Sequence, residues 1–156
     1  MNIQTALLGE LEIDENEIIT FRDGLPGFEK ERQFIIIPMD ENGGPFYYLQ
    51  SATSPNLCLV IADPFTFFPG YEIEIADPDL QKIGVEQGNH NIAIYVILTI
   101  PEDFKLTTAN LLAPLVINSD NRQAMQYIAT KTGYSTRHLV FKPQKPTAAS
   151  AAGEGR

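Results

Sequence analysis

The sequence predicts an all-β domain, a sandwich or a barrel, with a few short helical turns. Three observations carry this. Apolar runs are short, rich in β-branched and aromatic residues, and broken by turn residues roughly every 8 to 12 positions. The stretch "YEIEI" (71–75) alternates apolar and acidic residues with period two. Helical periodicity is scarce.

In chain order, "NIQTALL" and "ELEI" flank Gly9, and "EIITF" (17–21) follows the acidic turn "DENE". "GLPG" (24–27) is a tight turn in which Gly24 or Gly27 can take positive φ. "QFIIIPM" (33–39) is a β-branched run ending at Pro38. "FYYLQS" (46–51) follows the turn signal "ENGGP", and "LCLVIA" (57–62) follows "SPN".

Next comes "DPFTFFPGYEIEI" (63–75), with Phe65, Phe67, Phe68 and Tyr71 close together. Pro64 and Pro69-Gly70 interrupt any ladder, so the segment reads as a strand-to-strand corner. If it is extended, Phe65 and Phe67 share one face and Phe68 takes the other, so the rings cannot all enter one core. Phe68 and Tyr71 are the rings least committed to it. The "YEIEI" pattern is read as a strand, with Tyr71, Ile73 and Ile75 on one side and Glu72 and Glu74 on the other.

"DPDLQKIGVE" (77–86) reads as a short helix, with Asp77 as N-cap and Pro78 in the first turn. "IAIYVILTI" (92–100) lacks polar alternation and is expected to be a central strand covered on both faces. In "TAN" (108–110), Asn110 can bond its own backbone. "LLAPLVIN" (111–118) and "STRHLVF" (135–141) are further strands. "NRQAMQYIAT" (121–130) is helical by propensity, but Met125, Tyr127 and Ala129 fall on one face of an extended chain. That favours a return strand after "NSDN". "PQKPTAASAAGEGR" has nothing apolar to anchor it and is expected to be a mobile tail. The domain therefore runs over 1–142 and the tail over 143–156.

Composition bounds the function. The chain has 156 residues, 44% of them hydrophobic, enough for one core. Its longest apolar run has strand length, no leader pattern opens it, and a soluble cytoplasmic protein is expected. Cys58 is the lone cysteine, so no internal disulfide can form, and it reads as a buried small hydrophobe. His90 and His138 have no carboxylate partner in sequence. No phosphate loop, metal spacing or nucleophile elbow is present, so no cofactor and no enzyme activity are expected. Glu72 and Glu74 could imitate a hydrolase pair, but an exposed polar strand face explains them better.

The net charge of −9 disfavours direct contact with nucleic acid or an anionic membrane. Residues 1–80 hold 15 Asp/Glu against 3 Lys/Arg, a net of −12, and the remainder holds 5 against 8, a net of +3. The acidic half suits a basic partner.

Three stretches together resemble the FliW family of flagellar assembly factors: "ITFRDGLPGFEKERQF" (19–34), "PFYYLQSATSPNLCLVIADPFTFFPGYEIEI" (45–75) and "LTIPEDFKLTTANLLAPLVIN" (98–118). The resemblance extends over about residues 1 to 141. It implies a small, mostly antiparallel β-barrel-like single domain. It also implies two partners that exclude one another: flagellin, bound in the cytoplasm before export, and CsrA, a translational repressor that the family antagonises. On that reading Phe68 and Tyr71 are candidate anchors for a partner helix. Glu72, Glu74, Asp14, Glu15, Glu17, Glu29 and Glu31 are candidate acidic contacts to CsrA. The other reading is a barrel that binds a small ligand on the same aromatic corner.

Overall fold

The computed structural model describes residues 1–86, 88, 91–130 and 132–141; His90 and the tail 143–156 lie outside them. The strands are β1 (Asn2–Thr5), β2 (Gly9–Glu12), β3 (Ile19–Phe21), β4 (Gln33–Pro38), β5 (Phe46–Ser51), β6 (Cys58–Ala62), β7 (Ile92–Thr99), β8 (Thr108–Ala109), β9 (Leu115–Asn118), β10 (Gln123–Gln126) and β11 (His138–Leu139). Among the described residues, two short helices, α1 (Pro64–Phe67) and α2 (Asp77–Gln81), lie between β6 and β7.

Among the described residues, seven strands close a ring in the order β7-β6-β5-β4-β3-β10-β9 and back to β7. Closure leaves a barrel few strand edges to protect. All its pairings are antiparallel except β10 with β3, which run parallel. The expected mostly antiparallel barrel is what forms. β7 is the pivot. Ile92–Tyr95 pair with β9, Ile61 and Ala62 of β6 pair with Ile97 and Val96, and Leu98 and Thr99 leave the ring to pair with β8. β11 then adds to β8, and β1 and β2 form a separate hairpin.

Alternation along the strands fills the barrel. Ile19, Phe21, Leu25, Phe34, Leu49, Ile61, Leu115, Ile117 and Ala124 make the main core, with Phe21 edge-on to Phe34 at 5.5 Å. Outside the ring, α2 and the following turn bring Ile83 and Val85 onto Val116, Met125 and Tyr127. Asn118 is buried there, its amide donating to the Ile83 carbonyl (2.9 Å) and its oxygen accepting the Asp120 N–H (2.9 Å). A third cluster, Ala62, Tyr71, Val96, Leu98, Ala109, Leu111 and Val140, sits under β8 and β11.

Several expectations change. Residues 71–75 keep the in–out burial pattern but join no ladder. The Glu72 N–H bonds the Tyr134 hydroxyl (2.9 Å), so the segment lies along an apolar surface without a strand neighbour. In 111–118 only Leu115–Asn118 is strand, and in 135–141 only His138–Leu139. Asp77 is inside the first turn of α2, and the N-cap is Ala76 with no side-chain bond. Cys58 is half-buried, and desolvation pushes its thiol pKa up. Residues 123–126 are strand, as favoured. The Asn110 side chain accepts the Ala113 N–H (3.0 Å), a local backbone bond of the expected kind.

The turn after β5 is held from both sides. Inside, the buried Gln50 amide donates to the Ser51 carbonyl (3.0 Å) and the Pro55 carbonyl (3.3 Å). Outside, the Glu31 carboxylate accepts the hydroxyls of Ser54 (2.5 Å), Thr53 (2.8 Å) and Ser51 (3.2 Å). The Ser54 hydroxyl, then that of Thr53, holds the Glu31 pKa below 4.5. A depressed carboxylate pKa adds stability above the ordinary value, and that stability is lost as pH falls through the folded-state value. Glu31→Gln should therefore lower the urea midpoint at neutral pH, with the difference shrinking at pH below 4.5. A difference that stays constant through acid would show that the carboxylate charge contributes nothing.

Candidate partner-binding surface

The corner at 63–71 is built by a cap, not by an extended chain. The Asp63 side chain accepts the Phe65 N–H (2.9 Å), and Pro64 occupies the first turn. The Phe68 N–H reaches the Pro64 carbonyl (2.8 Å), and the Tyr71 N–H reaches Phe68 (2.9 Å). This single helical turn fans the rings out instead of alternating them.

Phe67 packs on Phe46 (5.3 Å) and Phe141 (6.0 Å). Phe141 in turn meets Phe104 at 6.0 Å. Phe68 stands edge-on to His138 at 6.2 Å. The corner thus joins the exit of β6 to the last described residues of the chain. His138 is on the edge strand β11, and its Nε2 accepts the Ser135 N–H (2.8 Å).

The expectation that Tyr71 is a loosely held ring is overturned. Tyr71 is 5% exposed. It packs on Tyr134 at 4.8 Å and donates its hydroxyl to the Leu111 carbonyl at 2.7 Å. Burial first, then the neighbouring Tyr134, pushes its pKa up to about 12. The turn of α1 swings Phe65 outward in its place, 45% exposed. Phe67 and Phe68 are half-buried.

Next to the corner lies an apolar surface that sequence reasoning missed. Phe104 is 61% exposed, and Ile100, Leu106, Leu139 and Phe141 are exposed with it. A signal was available: "PEDFKL" has turn composition yet holds two large apolar residues. The Asp103 side chain accepts the Lys105 N–H (3.1 Å) and shapes this 3-10 turn.

The acidic candidates separate into three groups, one of them Glu29, exposed, with Glu31, half-buried against Ser51, Thr53 and Ser54. Glu72 and Glu74 are exposed beside Tyr71, on the side of 71–75 away from Ile73 and Ile75. Asp14, Glu15 and Glu17 are exposed on a 3-10 turn leading into β3, where the Asp14 side chain accepts the Asn16 N–H (2.9 Å). Among the described residues no group of three or more His, Cys, Asp or Glu is placed to hold a metal ion, and no helix is long and apolar enough to cross a membrane.

This architecture has close relatives. The FliW protein family model matches residues 2–140. The flagellar assembly factor FliW of Syntrophomonas wolfei subsp. wolfei (strain DSM 2245B / Goettingen) is 51% identical over 158 residues, covering 99% of this chain and 100% of that one. That of Geobacillus sp. (strain WCH70) is 45% identical over 145 residues, covering 93% and 98%. A crystal structure of the flagellar assembly factor FliW superposes with a TM-score of 0.84 at 41% identity, covering 92% of this chain and 99% of that one. With the barrel, the corner and nearly the whole described chain matched at this identity, the chain belongs to the FliW family of flagellar assembly factors.

Proposed function

We propose that this protein is a non-enzymatic cytoplasmic regulator that binds flagellin before export. It also binds and antagonises CsrA, and the two partners compete for it. Family membership over residues 2–140 carries this reading. The surface supports it. A partner helix needs exposed apolar anchors, and Phe65, Phe104 and Phe141 are exposed while Phe68 is half-buried. A basic protein such as an RNA-binding repressor needs acidic contacts, and Glu72, Glu74, Asp14, Glu15 and Glu17 are all exposed. Because Tyr71 is core, it supports the corner from below, and Phe65 takes its place as an anchor.

The test uses the exposed rings. Phe65→Ala combined with Phe104→Ala should leave melting within a few degrees, since neither ring is buried. It should weaken flagellin or CsrA binding by about tenfold or more if these rings are anchors. Titrating flagellin into a preformed complex with CsrA should release CsrA. Unchanged affinity of the folded double variant for both proteins would remove this surface from the reading. A stable ternary complex would remove the competition.

A further inference from the structure

β10 carries an open edge where the barrel closes. The Tyr127 N–H donates to the Pro114 carbonyl (2.9 Å) and the Ala129 N–H to the Leu112 carbonyl (2.7 Å). Successive residues of an extended chain turn their backbone groups to opposite sides. The Gln126 and Ile128 N–H groups therefore face the side where β3 would have to lie, while the Ile128 carbonyl accepts the Thr130 N–H (3.1 Å). β3 pairs with β10 only through Thr20–Gln123 and Phe21–Ala124. Beyond Phe21 the chain turns away: the Gly24 N–H bonds the Phe21 carbonyl (2.9 Å), and Leu25 bridges Phe28. Two residue pairs close the ring, and past them it is open.

Cavities line both sides of that opening. One, about 350 Å³, is largely apolar, with Leu25, Phe28, Leu59, Ile97, Ala113 and Ile128 in its wall. Phe28 is 42% exposed there and Ile128 61%. The other, about 280 Å³, has Asp23 and Glu29 in its wall and no cationic residue among the described ones. Nearby, Lys82 is engaged by Asp79 at 3.2 Å, and Arg22 lines the adjoining cavity.

We infer that this opening takes an extended segment of a partner protein, added as a strand along Gln126–Ile128. The segment places an apolar side chain between Leu25, Phe28 and Ile128, and a basic one at Asp23 and Glu29. Main-chain bonds give such an added strand its affinity, and pockets for alternate side chains give its specificity. The two carboxylates select a basic segment. The net charge of −9 sets two copies of this chain against one another and makes a second copy a poor occupant. Residues 142–156 offer no apolar side chain larger than alanine or proline, and Pro143 and Pro146 lack the N–H that a strand needs. This inference does not depend on what the aromatic surface binds.

The probe is a blocked, fluorescent heptapeptide of alternating Lys and Ile, titrated into the full chain and followed by anisotropy. It should bind, and N-methylating its alternate amides should weaken binding about tenfold or more. Asp23→Asn with Glu29→Gln should weaken it several-fold and flatten its salt dependence. Ile128→Pro removes an N–H that faces the opening, away from β9, so it should reduce binding while β9–β10 pairing persists. In the unaltered chain, the peptide should slow hydrogen exchange at the Gln126 and Ile128 amides. Equal affinity of the methylated and plain peptides, or unchanged exchange at those two amides, overturns the inference. So does a dimer of this chain that the peptide dissociates, because a second copy would then be the occupant.

Discussion

Tyr71→Ala should cost about 3–5 kcal/mol of stability, in the range of a large aromatic lost from a core. The ring is 5% exposed and lies between Phe65 (6.0 Å) and Tyr134 (4.8 Å). Truncation empties that space and leaves the Leu111 carbonyl without its donor. Tyr71→Phe keeps the ring and should lose only the hydrogen bond, about 1 kcal/mol. A second signature follows from the hydroxyl. Its pKa is pushed up to about 12 from an ordinary 10. A raised folded-state pKa means stability that is fully present below pH 10 and falls as pH rises toward 12. Tyr71→Phe should flatten that alkaline decline. Urea unfolding of both variants followed by circular dichroism measures all of this. A Tyr71→Ala chain within 1 kcal/mol of the parent would contradict the burial described above.

Gly24→Ala should destabilise by roughly 2–4 kcal/mol, well above Gly27→Ala. Both glycines have positive φ, +68° and +84°. A Cβ at Gly24 would also lie 2.6 Å from the carbonyl oxygens of Phe28 and Glu29, which are backbone atoms and cannot rotate away. At Gly27 it would meet nothing within 4 Å. Gly27→Ala should therefore cost only the left-handed backbone, about 1–2 kcal/mol. Thermal melts of the two variants separate conformation from clash. Equal losses would mean that the 24–29 turn opens freely. This turn supplies Leu25 to the core and walls the opening beside β10, so its rigidity bears on both.

The corner shows how a readable signal was read in the wrong frame. Asp63-Pro64 is an N-cap followed by a first-turn proline, and the Asp-Pro pair at 77–78, read as a helix start, likewise lies in a first turn, one residue further in. Treating 63–68 as extended put Phe65 with Phe67 and left Tyr71 outside. One helical turn changes the direction of every ring, so Tyr71 goes in and Phe65 comes out. The alternation at 71–75 told the truth about burial and nothing about pairing, because a chain resting on one apolar surface alternates as a strand does. Apart from the half-buried Glu31, the acidic candidates were legible as exposed, because charged side chains on turns have nowhere else to go.

By itself, the sequence determined where most strands lie and, through its motifs, the family. Those are local properties of side-chain pattern and turn chemistry. The tertiary structure alone decided how the ring closes. β7 joins β9 although residues 100–114 and the strand β8 lie between them in sequence, and β10 lies parallel to β3 for only two residue pairs. Such pairings depend on which distant edges remain free once the core has formed, and no local pattern encodes that. The same closure leaves Gln126 and Ile128 facing an opening, and Phe65, Phe104 and Phe141 stay exposed outside the ring. Exposure of this kind is set by what fails to cover a residue, and that is known only when every neighbour is in place.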